Sequence, residues 1–191
     1  MSNSIAANTH VLINYRRIGI AGAHRVGKTT LMNKLAEKLP HLTAVPTHTR
    51  TFIELVDFDW KDEKNPDLVL AFQRLMAQYH IFFLKALQPY GFICDRTIYD
   101  VLAYSLYHDV KLGLSDNLIY GNIRREFAKH GFISGSVYDV ILFYRLPEGY
   151  DDDVGCFVDA VLSQLLRNAD CKVIEVRRGC QLIVSGDVVE V

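Results

Sequence analysis

Residues Gly22-Ala23-His24-Arg25-Val26-Gly27-Lys28-Thr29 spell G-x-x-x-x-G-K-T, the spacing of a loop that wraps a polyphosphate. Backbone N–H groups can converge on an anion only where the chain turns tightly, and Gly22 and Gly27 let it turn without Cβ clashes. The expected cradle runs through Gly22, Ala23, His24, Arg25, Val26, Gly27, Lys28, Thr29 and Thr30. Lys28, on an exposed rim, reaches the β- and γ-phosphates of ATP, and Thr29 offers its hydroxyl to Mg²⁺. A helix starting here aims the positive end of its dipole at the same anion.

Such a loop needs a strand before it and a helix after it, and the sequence supplies both. Ile18-Gly19-Ile20-Ala21 leads in, and 29–39 follows with apolar Leu31, Leu35, Ala36 and Leu39 until Pro40 stops it. Apolar runs at 42–45, 92–94, 137–144 and 172–176 predict further strands. Helical periodicity fills 67–88, 97–110, 116–129 and 151–168. Strands alternating with helices predict an α/β three-layer sandwich: a five-stranded parallel sheet with helices on both faces. We expect one domain over 1–191, with a flexible leader at about 1–14 and a C-terminal hairpin at about 181–191 turning at Ser185-Gly186-Asp187.

In a parallel sheet the ligand lies beyond the carboxyl ends of the strands. Arg50 follows the second expected strand, Asp95-Arg96 the third and Arg145 the fourth, so three arginines and an aspartate are expected around the loop. Asp95 suits Mg²⁺ and the arginine forks suit phosphate. On the apolar helix 67–88, Arg74 and Gln78 stand four apart on one face and call for polar partners. A nucleotide in the cleft would provide them, with Phe72 as a plate for its base.

Composition narrows the classes. At 191 residues and 50% hydrophobic, the chain can bury one good core. Its 21 basic and 22 acidic residues nearly cancel, which argues against a dedicated nucleic-acid binder. The four cysteines form no C-x-x-C pair and the seven histidines no H-x-x-x-H, so the expected metal is nucleotide-bound Mg²⁺ alone. Without an apolar stretch of membrane-spanning length or a signal-peptide pattern, a cytoplasmic protein with no membrane partner is expected.

The chain resembles the P-loop nucleoside monophosphate kinases, thymidylate kinases in particular, over roughly residues 17–176. The resemblance rests on Gly22 to Thr30, Thr49-Arg50, Ala71-Phe72-Gln73-Arg74 with Gln78 and His80, and Cys94-Asp95-Arg96 followed by Ala103-Tyr104. It implies that Arg50, Arg74, Asp95 and Arg96 contact the acceptor's phosphate, its base and the magnesium region. It also implies a catalytic role for Arg25, since one subgroup carries its catalytic arginine in the phosphate loop, and residues 147–163 hold no Lys or Arg. That subgroup's aspartate for the sugar 3′-hydroxyl is replaced here by His24, and its Glu-Pro after Thr-Arg by Thr51-Phe52. The segment from Cys94 to Tyr104 also resembles a broader group of small ATPase/kinase domains.

The expected function is an ATP-dependent kinase acting on a deoxynucleoside monophosphate, with Lys28, Arg25, Asp95 and Arg96 catalytic, Thr29 and Asp95 on Mg²⁺, and Arg50, Phe72, Arg74, Gln78, Arg96 and Arg145 on the acceptor. The alternative acceptor is a hydroxyl of a nucleoside or of a modified nucleotide in DNA, which needs a base: Asp95 first, then Asp57 or Asp59. A regulatory NTPase is a third class, disfavoured by the acceptor helix and by the absence of N-K-x-D. The expected partners are a nucleotide, DNA under the hydroxyl alternative, and a second copy of the chain in a homodimer.

Overall fold

Side chains alternate across the central strands, and both sets are buried. Strand β2 (Arg17–Ala21) turns Ile18 and Ile20 to one face and Ala21 to the other; β5 (Val140–Tyr144) divides Val140, Leu142 and Tyr144 from Ile141 and Phe143. A sheet with two apolar faces must be covered twice. In the computed structural model, which describes residues 9–11, 15–59 and 63–191, it is. The sheet is parallel throughout, in the order β3-β4-β2-β5-β6, with β3 at Thr43–Val45, β4 at Phe92–Asp95 and β6 at Lys172–Val176. The expected three-layer α/β architecture is therefore present.

Helix α1 (Lys28–Lys38) covers one face, burying Leu31, Met32 and Leu35 against Ile18, Ile20 and Leu142. The opposite face packs against α3 (Pro66–Leu87), α4 (Ile98–Lys111), α5 (Leu118–Lys129) and α6 (Asp153–Leu166). Local chemistry sets their starts. Asn65 accepts the Asp67 and Leu68 amides ahead of Pro66, and Thr97 and Asp100 close a capping box on α4.

Strands β7 (Gln181–Val184) and β8 (Asp187–Glu190) form an antiparallel hairpin whose Ser185 and Gly186 both take positive φ, 52° and 91°, as a two-residue turn between right-twisted strands requires. Leu182, Val184 and Val189 of the hairpin join the α1 side of the core. Strand β1 (Thr9–Val11), within the expected leader, pairs in parallel with β7. The rest of the expected leader, 1–8 and 12–14, lies outside the described residues. Helix α2 (Thr49–Leu55) was not expected: a run with three β-branched residues in seven carries little helical signal, and it forms by laying Phe52 and Ile53 on the core.

Candidate active site

The phosphate loop is held from beneath on two sides. Gly22 donates its N–H to Asp100 Oδ1 at 3.1 Å, tying the loop to the first turn of α4. A Cβ on Gly22 would stand 2.5 Å from the Tyr144 carbonyl oxygen, and Gly27, at φ 110°, lies over the Tyr144 ring. Both glycines are required by these approaches. Lys28 corrects the expectation of an exposed rim: it is buried, and its Nζ donates to the carbonyls of Gly22 at 2.8 Å and Ala23 at 2.6 Å. Burial, aided by the Arg96 charge, lowers its pKa to about 8.

Asp95 closes β4 beside the loop and accepts a short hydrogen bond from the Thr29 hydroxyl through Oδ2. Its Oδ1 is buried and has no hydrogen-bond partner among the described residues. A hydroxyl and a carboxylate with an open oxygen make a hard-oxygen donor set that fits Mg²⁺, which takes only one or two protein ligands and completes its shell with water and phosphate. Next in sequence, Arg96 adopts φ 92°, a conformation that costs energy for any residue with a Cβ. Its N–H donates to the Ile20 carbonyl at 3.0 Å, its guanidinium lies 4.9 Å from the Tyr104 ring centre, and its Nε is buried without a partner among the described residues. A buried guanidinium nitrogen left open in this way is suited to an anionic oxygen.

His24 links three elements. Its N–H donates to the Tyr104 hydroxyl, its Nδ1 shares a hydrogen bond with the same hydroxyl at 3.1 Å, and Nε2 meets Asp152 Oδ2 at 3.1 Å. Asp152 in turn caps α6 by accepting the Gly155 amide at 2.7 Å. Burial lowers the His24 pKa against the pull of Asp152, and Lys28, Arg96 and Arg25 push the same way as burial. The ring thus bridges the loop to α4 and α6, with burial favouring its neutral form.

On the β5–β6 side a cavity of about 360 Å³ opens beside the loop, lined by Arg25, Thr30, Lys34, Tyr144, Arg178 and Glu190, among others. Arg25 stands exposed in left-handed geometry, φ 63°, at its edge. On the β3 side, beyond Asp95 and Arg96, His48, Phe52 and Tyr79 form an edge-to-face cluster, with the His48 and Tyr79 rings 5.2 Å apart. The Tyr79 hydroxyl donates to the Pro46 carbonyl at 2.9 Å, fixing the cluster at the end of β3. Arg50 lies exposed in the first turn of α2, next to this cluster in sequence.

Four expected site residues are placed elsewhere. Arg74 and Gln78 do share a helix face, but it is the exposed one toward α5, where Arg74 bonds Asn122 at 3.2 Å and Gln78 bonds Glu126 at 3.0 Å. The polar groups that α3 buries are Gln73 and His80. Phe72 is a core residue stacked on Phe58 at 4.2 Å, so it offers no open plate. Arg145 is engaged by Asp159 at 2.9 Å and Glu175 at 3.3 Å rather than turned to the loop. Asp57 and Asp59 are exposed in the loop after α2, flanking the buried Phe58.

Asp100, Asp152, Tyr144, Arg178 and Glu190 were not singled out from the sequence. Only Asp100 carried a local signal, the Thr-x-x-Asp of a capping box right after Asp95-Arg96. The others meet the loop through long-range contacts.

Fold and site together define a P-loop kinase-like α/β protein. A family described as an AAA domain matches residues 17–134, more than half of the chain, and the protein belongs to that family. No curated protein matches the sequence. Among solved structures, the chain is similar to NadR in complex with NR (14% identity, TM-score 0.61), covering 88% of this chain and 43% of NadR. It is likewise similar to NadR in complex with NAD and AMP-PNP (18%, 0.59; 88% and 44%). The deoxyadenosine kinase from M. mycoides with bound dCTP is similar over 84% of this chain and 89% of its own (16%, 0.60). The chain thus spans less than half of NadR, and at these identities the likeness establishes the fold. Among the described residues, no helix is long and apolar enough to cross a membrane.

Proposed function

We propose that the protein is an ATP-dependent kinase whose acceptor is a nucleoside hydroxyl. The observation that carries this is the aromatic cluster of His48, Phe52 and Tyr79 at the end of β3; Arg74, Gln78 and Arg145, expected on the acceptor, are committed elsewhere. Aromatic faces suit an uncharged base and sugar. The deoxyadenosine kinase and NadR likenesses support the same acceptor class.

In this arrangement the loop amides and Lys28 hold the donor phosphates. Lys28 exchanges its bonds to the Gly22 and Ala23 carbonyls for phosphate oxygens. Thr29 and Asp95 would hold Mg²⁺, which supplies charge neutralisation on the phosphates. Asp95 would face the metal with Oδ2, the oxygen it shares with Thr29, which leaves Oδ1, without a hydrogen-bond partner among the described residues, to receive the proton that the acceptor hydroxyl sheds. Arg96 and Arg25 bear on the transferring group from the two sides of the loop.

Arg96 Nε and the exposed Arg50 favour a second reading, a nucleoside monophosphate as acceptor. Calorimetric titration in the presence of a non-hydrolysable ATP analogue separates the two. Nucleosides should bind more tightly than their monophosphates; tighter binding of monophosphates transfers the assignment to the second reading.

A further inference from the structure

The hairpin β7–β8 lies beyond the matched family region, yet it lines a cavity shared with the phosphate loop. Three contacts fix it on α1. Lys34 Nζ donates to the Glu190 carbonyl at 2.8 Å, Lys38 pairs with Asp187 at 3.0 Å, and Leu182 and Val189 are buried in the same cluster as Leu31 and Leu35. Glu190 and Val191 consequently line the 360 Å³ cavity beside the loop, together with Tyr144 and Arg178, which follows β6. That volume falls in the range of small-molecule sites, roughly 300–1,000 Å³.

We propose that this hairpin is the base-reading wall for the phosphate donor and that Glu190 selects a base bearing an amino group, adenine in the first instance. The inference rests on the placement of the donor phosphates in the loop. A triphosphate anchored on Lys28 and the start of α1 extends its nucleoside into the cavity that opens from the same residues, Arg25, Gly27 and Thr30. Of the residues lining that cavity, Glu190 brings a carboxylate, which only accepts hydrogen bonds, and Arg178 a guanidinium, which can pack flat on a π-face. An exocyclic amino group is the donor that a carboxylate wants; a base without one leaves Glu190 unmatched. Arg178 acts on the ring face and so discriminates little between bases.

The test is equilibrium binding of ATP and of purine riboside triphosphate, which lacks the amino group, to the wild type and to Glu190→Ala, Arg178→Ala and Asp187→Ala. Wild type should prefer ATP by roughly 10-fold. Glu190→Ala should erase the preference by weakening ATP alone, and Arg178→Ala should weaken both ligands alike. Asp187→Ala, which breaks a tie outside the cavity, should leave the preference intact, and thermal melting confirms that each variant is folded. An ATP preference unchanged in Glu190→Ala overturns the proposal while the nucleotide reading stands. A wild type that binds neither triphosphate overturns the nucleotide reading itself, and the proposal with it.

Discussion

Thr29 and Asp95, 66 residues apart in the chain, are joined by a hydrogen bond that spans the gap between the start of α1 and the end of β4. Only the parallel pairing of β2 with β4 brings them together, in a register that sets Ile20 opposite Asp95. The bond satisfies one oxygen of a buried carboxylate and leaves the other open. Asp95→Asn and Thr29→Ala should therefore each lower transfer by at least 10²-fold and weaken the Mg²⁺ dependence of nucleotide binding. Nucleotide affinity measured with and without Mg²⁺ checks this; an unchanged magnesium effect in both variants removes the pair from the metal site.

Lys28 ties its own loop carbonyls together in the ligand-free protein, so its substitution has two consequences. Lys28→Ala should lower kcat by about 10²–10³-fold, the scale of a lost transition-state donor. Because burial depresses its pKa to about 8, the unfolded chain holds one more proton than the folded one between pH 8 and about 10.5. Stability without nucleotide should rise with pH across that window, and Lys28→Ala should flatten the rise.

Arg96 is held at φ 92°, which separates its structural cost from its chemical use. Arg96→Gly should melt higher than Arg96→Ala by about 1 kcal/mol, since only Ala keeps the Cβ strain. Both should lose transfer to the same extent. Equal melting of the two variants would show that the backbone there is unstrained.

Much of the fold was legible because its signals are local or periodic: the two glycines and Lys28 of the loop, the alternating faces of β2 and β5, and the long apolar pattern of α3. The site was legible where a residue sits next to such a landmark, as Asp95 and Arg96 do at the end of β4. It was misread on α3, because spacing shows that Arg74 and Gln78 share a face but not which way the face points. The helix turns Phe72, Met76 and Ala77 to the core, which leaves Arg74 and Gln78 toward α5. Arg145 was misread for a related reason: its partners Asp159 and Glu175 lie 14 and 30 residues away and meet it only in the folded chain.

Those placements have consequences of their own. Arg74→Ala and Gln78→Ala should leave kcat and both KM values within about twofold, since each removes one exposed contact worth under about 1 kcal/mol. Arg145→Ala should instead act on stability, lowering it by about 2 kcal/mol by stripping the charge-assisted bonds from Asp159. A rise in acceptor KM for Arg74→Ala without loss of stability would return that residue to the acceptor site.

His80 and His108 are buried, and burial lowers both to about pKa 4. Below about pH 6.5 the unfolded chain takes up protons that the folded one refuses, so stability is lost as pH falls from 6.5 through 4. Urea unfolding over that range should show a slope approaching two protons, reduced by about one in His108→Gln. A slope unaffected by that substitution would mean that His108 titrates alike in both states.

The most direct measurement is the fate of the γ-phosphate. Incubation with γ-labelled ATP, Mg²⁺ and a panel of nucleosides, nucleoside monophosphates and single- and double-stranded DNA should place label on a nucleoside, and Lys28→Ala should slow that labelling by about 10²–10³-fold. Label on a monophosphate or on DNA would reassign the acceptor; release of inorganic phosphate alone, with no acceptor labelled, would contradict the assignment as a kinase.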